Sequence, residues 1–202
     1  MRVVGVAGKC CAGKDLVVKW FSDRGWQEIN VDHVGHQALE ELQEEILHRF
    51  GRTILNDRGD RIDRARLGRL VFSSSSALAR LEELVHPWIR QEVSERTRSI
   101  LGSSPVTTVV INAALLVPLG LHTLCDAVFL VEAPLGVRIA RARRRDALGW
   151  RAIFRRLWAQ RRLHIQARRS CADIIRVDNR SAPELLYRQL EEALQLRQEP
   201  GE

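Results

Sequence analysis

The feature that most constrains the fold lies at the start of the chain, where a glycine-rich stretch follows a short apolar run. From Gly8 to Lys14 the spacing is G-x-x-x-x-G-K, and residues 2–7 before it are typical of a buried parallel strand. Helical spacing follows at Leu16, Val17, Trp20 and Phe21. A tight turn is the alternative interpretation. The placement between strand and helix instead favours a loop whose backbone N–H groups surround phosphate oxygens.

The residue after this motif departs from it. Asp15 stands where the motif has serine or threonine. A carboxylate here offers the kind of oxygen ligand that Mg²⁺ prefers, so a metal site rebuilt around Asp15 is one interpretation. The other is structural, because aspartate in the first turn of a helix is favoured by the helix dipole. The sequence alone leaves both open.

Four further apolar segments predict strands, at residues 26–31, 106–117, 126–131 and 173–177. Residues 37–101 are helical in pattern over too great a length for a simple crossover, which predicts a helical insertion. Within it, His86 and Pro87 predict an interruption and a bend, where a lone histidine is more often structural than catalytic. Five strands with helical connections predict an α/β layered fold.

Asp32 directly follows the second predicted strand. In an open parallel sheet, the carboxyl ends of the strands form the edge where ligands bind, and a carboxylate there can accept a proton from a substrate hydroxyl. The competing interpretation is that Asp32 caps a helix beginning near His33. Taken by itself, the pattern favours the cap.

The charge of the chain is concentrated in one segment. The net charge is +7, but residues 138–169 hold twelve arginines and one acid, a net of +11, which leaves −4 for the rest. Arg138, Arg141 and Arg145 share one helical face. Because arginine suits phosphate oxygens, the segment predicts an anion-binding lid. A solvated helical hairpin and an RNA-binding helix are the alternatives.

The bulk composition favours a cytoplasmic protein of one principal domain. No apolar run approaches the roughly 20 residues that a membrane-spanning helix needs. The four cysteines, Cys10, Cys11, Cys125 and Cys171, lack the spacing of a metal site, which favours reduced thiols. Cys10 and Cys11 precede a predicted helix, where oxidation could block a nucleotide site, and inert buried thiols are the alternative.

A series of short stretches follows along the chain in an order and spacing that are specific only together. They are Gly5-Val6-Ala7-Gly8 with Gly13-Lys14, Asn30-Val31-Asp32, Ile62-Asp63-Arg64, Leu67-Gly68, Val71-Phe72, Leu81 to His86-Pro87, Leu115-Leu116 with Gly120-Leu121, Cys125-Asp126, Arg145-Asp146 with Gln160, and Ala172-Asp173. Unrelated P-loop kinases share the first stretch and not the rest. In this order the stretches resemble the dephospho-coenzyme A kinase family over nearly the whole chain.

The resemblance implies a three-layer α/β P-loop kinase core around a five-stranded parallel sheet. Residues 1–31, 105–136 and 170–202 would form this core, residues 32–104 a helical coenzyme A domain, and residues 137–169 an arginine-rich helical lid. The implied activity is ATP-dependent phosphorylation of the ribose 3′-hydroxyl of dephospho-coenzyme A. ATP would be the co-substrate and Mg²⁺ the metal, and small molecules rather than nucleic acid or a membrane would be the partners. No oligomeric state follows.

Matching the motifs position by position implies the site residues. Lys14 would hold the β- and γ-phosphates, Asp32 would be the base, and Arg145 would bind the transferring phosphate. Arg64 and His86 would join Asp32 in binding the substrate. The ATP site would consist of Gly8, Lys9, Cys10, Cys11, Ala12, Gly13, Lys14, Asp15 and Arg145. Asp15 would also be the metal ligand.

Several positions depart from the family pattern besides Asp15. Asn30 replaces the first aspartate of a D-x-D motif, and the strand motif D-x-P-L-L-F-E has changed at Asn112, Ala114, Val117 and Pro118. These changes remove carboxylates from strand ends. They motivate the alternative of an impaired P-loop nucleotide-binding protein that uses its arginine face for RNA or a partner, or of a kinase acting on another hydroxyl. The joint presence of Lys14, Asp32, Arg64 and Arg145 favours the dephospho-coenzyme A kinase.

Overall fold

The computed structural model describes residues 1–146 and 173–198. The chain divides into two compact units, one formed by residues 1–30 with the chain from residue 96 onward, and the other by residues 31–95. Most of the predicted lid, including Gln160, lies outside the described residues. The functional division into core, substrate domain and lid stays a prediction.

The first unit is built on five parallel strands. These are β1 (Val3–Gly8), β2 (Gln27–Asn30), β3 (Val109–Asn112), β4 (Ala127–Glu132) and β5 (Ile174–Asp178). Their order in the sheet is β2-β3-β1-β4-β5, with every neighbouring pair parallel, which confirms the predicted sheet. β1 lies at the centre and is buried along its whole length. All carboxyl ends therefore meet at one edge, with the glycine-rich loop in the middle.

β3 is shorter than the apolar run that predicted it. The strand ends at Asn112, and the chain continues in turns up to residue 120. Leu116 and Leu119 are buried in these turns, so apolar character persists without strand pairing. Apolar residues therefore predicted burial correctly and strand length incorrectly.

Helix α1 (Lys14–Ser22) is held firmly against the sheet. Phe21 on its inner face meets Phe129 of β4 edge to face, with ring centroids 5.1 Å apart. The same core cluster includes Leu186 and Leu190 of the C-terminal helix, named α7 here (Pro183–Gln198). Burial of each large apolar side chain contributes about 1.5–3 kcal/mol. This packing holds α1 against the sheet.

The second unit is helical. It contains α2 (Val31–Glu41), α3 (Gln43–Phe50), α4 (Arg64–Ser73) and the part of α5 (Ser75–Ser103) up to Glu95. A bridge between Leu55 and Ile62 encloses the predicted turn at residues 56–59. α5 continues through Pro87, so the predicted interruption there is wrong. Proline removes one helical hydrogen bond, and the buried side chains of Val85 and Ile89 on either side help to hold the helix.

In the first unit, helix α6 (Leu135–Asp146) follows β4. It carries the arginines at 138, 141 and 145. Among the described helices, none is both long enough and apolar enough to cross a membrane.

Candidate phosphate-binding site

The loop between β1 and α1 has a shape that only glycine permits at two positions. Gly13 has a φ of 100°, and a Cβ atom there would lie 1.9 Å from Nδ2 of Asn179. A Cβ atom on Gly8 would lie 2.7 Å from the carbonyl oxygen of Val131. Close approach of neighbouring groups therefore requires glycine at both ends of the motif, and the positive φ of Gly13 requires it a second time at that position.

The carbonyl oxygens of the loop are held by side chains from distant parts of the chain. Asn179, which is only 1% exposed, donates from Nδ2 to the Ala12 carbonyl at 2.8 Å. Arg141 donates to the same carbonyl at 3.2 Å and to the Asn179 carbonyl at 3.0 Å. Arg138 donates from Nε to the Cys10 carbonyl at 2.9 Å. With the negative ends of these peptide dipoles held by donors, two of them cationic, the loop is suited to an anion.

Arg138 is an unusual residue in this arrangement because it is almost completely buried. Its side chain is 6% exposed, and its Nη2 atom has no hydrogen-bond partner in the described part of the chain. Burial lowers the pKa of the Arg138 guanidinium, and the nearby thiols of Cys10 and Cys11 oppose that shift. A buried cation therefore lies directly beside the loop.

Asn179 was not predicted as a site residue, and its place beside the loop leads to a test. Replacing Asn179 with leucine is expected to lower the free energy of unfolding by about 1–3 kcal/mol, because the buried carbonyl of Ala12 loses a donor. The dissociation constant for ATP is expected to rise as well. Denaturant unfolding and calorimetric titration with ATP would measure the two effects.

The control is Gln189→Leu. Gln189 bonds the backbone of Asp178 on the same strand end, at 2.9 and 3.1 Å, without reaching the loop. The Gln189→Leu variant is expected to have a lower free energy of unfolding and an unchanged affinity for ATP. Equal loss of ATP affinity in both variants would contradict a specific role for Asn179.

A cavity of about 270 Å³ opens beside the loop. Ala114, Val117 and Pro118, three of the residues that depart from the family pattern, form part of its wall together with the end of β4. Its charged lining comes from Lys9, Glu132, Arg138, Asp178 and Arg180. This cavity has a volume near the lower limit of small-molecule pockets and carries both signs of charge.

The two residues that end the motif lie in the first turn of α1. Lys14 is the first residue of this helix, and its Cγ atom lies 3.3 Å from the position that a Cβ on Gly8 would take. Its stem therefore runs back over the loop, as phosphate binding requires. Asp15 is exposed to solvent in the same turn. Neither residue is among those lining the cavity.

The carboxyl ends of β2 and β3 retain a carboxylate despite the asparagines there. Asn30 and Asn112 are paired in register, and Asn112 is 8% exposed. Asn112 donates from Nδ2 to Oε1 of Glu28 at 2.9 Å. Glu28 was not predicted, since a charged residue within a short strand carries no motif of its own. The loss of aspartate from this edge is thus partly offset by a neighbouring strand.

The predicted substrate residues lie in the second unit. α2 begins at Val31, so Asp32 is an exposed residue of the first turn instead of the helix cap that the pattern taken by itself favours. Arg64 opens α4 and is exposed, and Asp63 caps that helix by accepting bonds from the N–H groups of Ala65 and Arg66. These bonds, that to Arg66 foremost, hold the pKa of Asp63 below its usual value.

His86 is half-buried within α5. Burial lowers the pKa of His86, and the charge of Glu82 opposes this shift. A neutral imidazole is therefore favoured at neutral pH. Arg145 is the penultimate residue of α6. The roles of Asp32, Arg64, His86 and Arg145 stay predictions.

Comparison with known proteins adds independent information. The family model for dephospho-CoA kinase matches residues 2–184. The dephospho-CoA kinase of Borreliella burgdorferi is 39% identical over 132 residues, covering 65% of this chain and 62% of that protein. The dephospho-CoA kinase of Anaeromyxobacter dehalogenans is 34% identical over 189 residues, covering 92% and 87%. The crystal structure of TT1252 from Thermus thermophilus matches with a TM-score of 0.79 at 28% identity, covering 99% and 98%.

A parallel sheet of this order, with a glycine-rich loop leading from its central strand into a helix, defines a P-loop kinase fold. Within this fold class, the family model identifies the family, because it matches most of the chain. The chain belongs to the dephospho-CoA kinase family. Its match spans less than two thirds of the Borreliella burgdorferi protein.

Proposed function

We propose that the chain phosphorylates the ribose 3′-hydroxyl of dephospho-coenzyme A with ATP as phosphate donor. The observation that carries the proposal is the phosphate loop, whose carbonyls are held by Asn179, Arg141 and Arg138 in a chain of this family. A loop held in this way presents a preorganised anion site and needs little reorganisation when ATP binds. Family membership does not favour the alternative of a protein that only binds nucleotides or RNA.

The proposed roles follow from chemistry that is mostly positioning and charge stabilisation. Lys14 holds the outer phosphates over the loop, and Arg145 binds the phosphoryl group in transfer. Asp32 accepts the proton of the attacking hydroxyl, while Arg64 and His86 hold the rest of the substrate. Exclusion of water from the γ-phosphate would let the hydroxyl compete successfully with hydrolysis.

Mg²⁺ is the metal that this chemistry implies. Mg²⁺ commonly takes one or two carboxylates, with substrate phosphates and water completing its coordination. The described residues contain no cluster of three or more histidine, cysteine or acidic side chains for a metal, whereas Asp15 offers one exposed carboxylate in the first turn of α1. This donor set fits a metal that arrives with ATP. Bound Mg²⁺ would supply positive charge to the phosphate oxygens, with Asp15 holding it.

Incubation of the purified chain with ATP, Mg²⁺ and dephospho-coenzyme A tests the proposed function. The expected product carries one additional phosphoryl group by mass spectrometry, and phosphorus–proton correlation in NMR places it on the ribose 3′-oxygen. ATP hydrolysis without this product, or a phosphate on another oxygen, would overturn the assignment. Binding of ATP without turnover under varied metals would support the nucleotide-binding alternative.

The role proposed for Asp15 has its own test. Asp15→Asn is expected to raise the Mg²⁺ concentration required for half-maximal activity by about tenfold or more, because a neutral amide binds the cation more weakly than a carboxylate. High Mg²⁺ should restore part of the activity. Measuring initial rates across a Mg²⁺ titration gives the shift.

Asp23→Asn is the matched control, because Asp23 is an exposed acid directly after the same helix and pairs with Lys19 at 2.8 Å. It should leave the Mg²⁺ requirement unchanged. If Asp15→Asn also behaves like the wild type, Asp15 serves only the helix dipole.

A further inference from the structure

The two cysteines of the phosphate loop lie next to each other in space as well as in sequence. Their Sγ atoms are 3.6 Å apart, and both residues are only partly buried. A disulfide bond would require the two sulfurs to approach by about 1.5 Å more. The partial exposure of both residues leaves them open to a small oxidant. The pair therefore forms a vicinal dithiol within the motif that is proposed to bind ATP.

The backbone at this pair is already strained. Cys11 has a φ of 59°, and among the described residues it alone combines a side chain with positive φ. Non-glycine residues rarely occupy this region, and they do so chiefly where the surrounding structure imposes it. Cys11 also packs against Ala142 of α6, together with Ile139. The contact of Cys11 with Ala142 helps to hold this conformation of the loop, and a change of the backbone at Cys11 would alter that contact.

A buried cation lies beside the two thiols. The buried guanidinium of Arg138 interacts with both thiols, and its Nη2 atom lacks a hydrogen-bond partner in the described part of the chain. A thiolate formed on either cysteine would provide a counter-charge for this cation. Reactive cysteines are found in electropositive and partly exposed surroundings of this kind, and the thiolate is the nucleophile.

We propose that Cys10 and Cys11 are a site of reversible oxidation by hydroperoxides, and that their disulfide prevents ATP from binding to the loop. The effect on ATP rests on the proposed function, whereas formation of the disulfide does not. The proposal follows from the 3.6 Å separation of the sulfurs, the partial exposure of both residues and the buried cation beside them.

The reaction balances without any group beyond the oxidant. One thiolate attacks the O–O bond of hydrogen peroxide and becomes a sulfenic acid, releasing hydroxide, which takes up a proton to form water. The second thiol then displaces the sulfenic hydroxyl, forming the S–S bond and a second water. Two thiols lose two electrons and two protons, and hydrogen peroxide is reduced to two waters.

Geometry explains why the disulfide would disturb the loop. Neighbouring Cα atoms across a trans peptide lie about 3.8 Å apart, whereas disulfides usually join Cα atoms about 4.4–6.8 Å apart. A bond between adjacent cysteines therefore distorts the intervening backbone. The Cys10 carbonyl that Arg138 holds belongs to this same peptide unit. Closure of the disulfide thus displaces peptide groups that the proposed site uses.

The test exposes the purified full chain to hydrogen peroxide. Mass spectrometry of the loop peptide is expected to show loss of two hydrogens and a Cys10–Cys11 linkage, and the ATP dissociation constant is expected to rise by about tenfold or more. Dithiothreitol should reverse both changes. Cys125→Ser is the control, because this half-buried cysteine lies outside the loop, and the variant should respond as the wild type does.

Other results would overturn the proposal. Oxidation of a single loop cysteine to a sulfinic acid, or a disulfide with another cysteine, would show that Cys10 and Cys11 are not the proposed site of reversible oxidation. A Cys10–Cys11 disulfide that leaves the ATP affinity unchanged would contradict the claim that the disulfide prevents ATP from binding. Phenylarsine oxide, a reagent for paired thiols, provides a second measurement on the unmutated chain, with an expected stoichiometry of one per chain that prior oxidation abolishes. A chain that forms the disulfide but never binds ATP would instead count against the proposed function.

Discussion

Asp32→Asn is expected to slow phosphoryl transfer by about 10²–10⁴-fold, because an amide cannot accept the proton of the attacking hydroxyl. Since the change removes no group of the phosphate loop, the dissociation constant for ATP should stay near that of the wild type. Single-turnover measurements with dephospho-coenzyme A would give the rate of transfer, and calorimetric titration would give the ATP affinity.

The control for Asp32 is Glu40→Gln, another exposed acid on α2, which should keep normal turnover. If Asp32→Asn also turns over normally, Asp32 is not the base. Its position in the first turn of α2 would then have only a structural function, because an acid there complements the helix dipole. A loss of ATP binding would likewise contradict the role, since it would place Asp32 in the nucleotide site.

Lys14→Met is expected to lower kcat/KM for ATP by about 10²–10³-fold. Methionine keeps most of the apolar stem that runs over Gly8, so the fold should persist while the cation that holds the outer phosphates is lost. Steady-state kinetics with varied ATP would measure the change, and the thermal unfolding midpoint would confirm folding.

Lys19→Met tests whether any lysine on α1 produces the same effect. Lys19 lies in the last turn of this helix and is exposed, paired with Asp23. Its loss is expected to change kcat/KM little, because exposed ion pairs contribute little to stability and Lys19 lies beyond the loop. Comparable losses in both variants would indicate a general charge effect instead of a phosphate contact by Lys14.

The sheet was predictable because burial on both faces imposes continuous apolar runs. Residues 126–131 gave the position of β4 to within one residue for this reason. The same signal overextended β3, since Leu116 and Leu119 are buried in turns. Pro87 failed as a helix breaker because one lost hydrogen bond is small beside the packing along α5.

The candidate site was predictable only where one short stretch contains it. The loop from Gly8 to Lys14 is such a stretch, and its glycines are explained by the structure. Asn179 and Glu28 meet their partners across 167 and 84 positions of the chain. No local pattern marks such residues. The arginines of α6 were noticed for their charge, but Arg138 and Arg141 are used to hold the loop, a role that only the folded contacts reveal.

The bond from Asn179 to Ala12 also has a consequence for the order of synthesis. The ribosome completes the glycine-rich motif when it adds Lys14, yet Asn179, which holds the last turn of the motif, is added 167 positions after Ala12. β1 also cannot pair in the sheet until β3 and β4, its neighbours on either side, have been synthesised. A nascent chain therefore carries the motif without these supporting contacts until Asn179 has been added. We expect nucleotide to stabilise the supported loop only after Asn179 has emerged, so ATP would assist the folded protein and not the early folding of β1 and its loop.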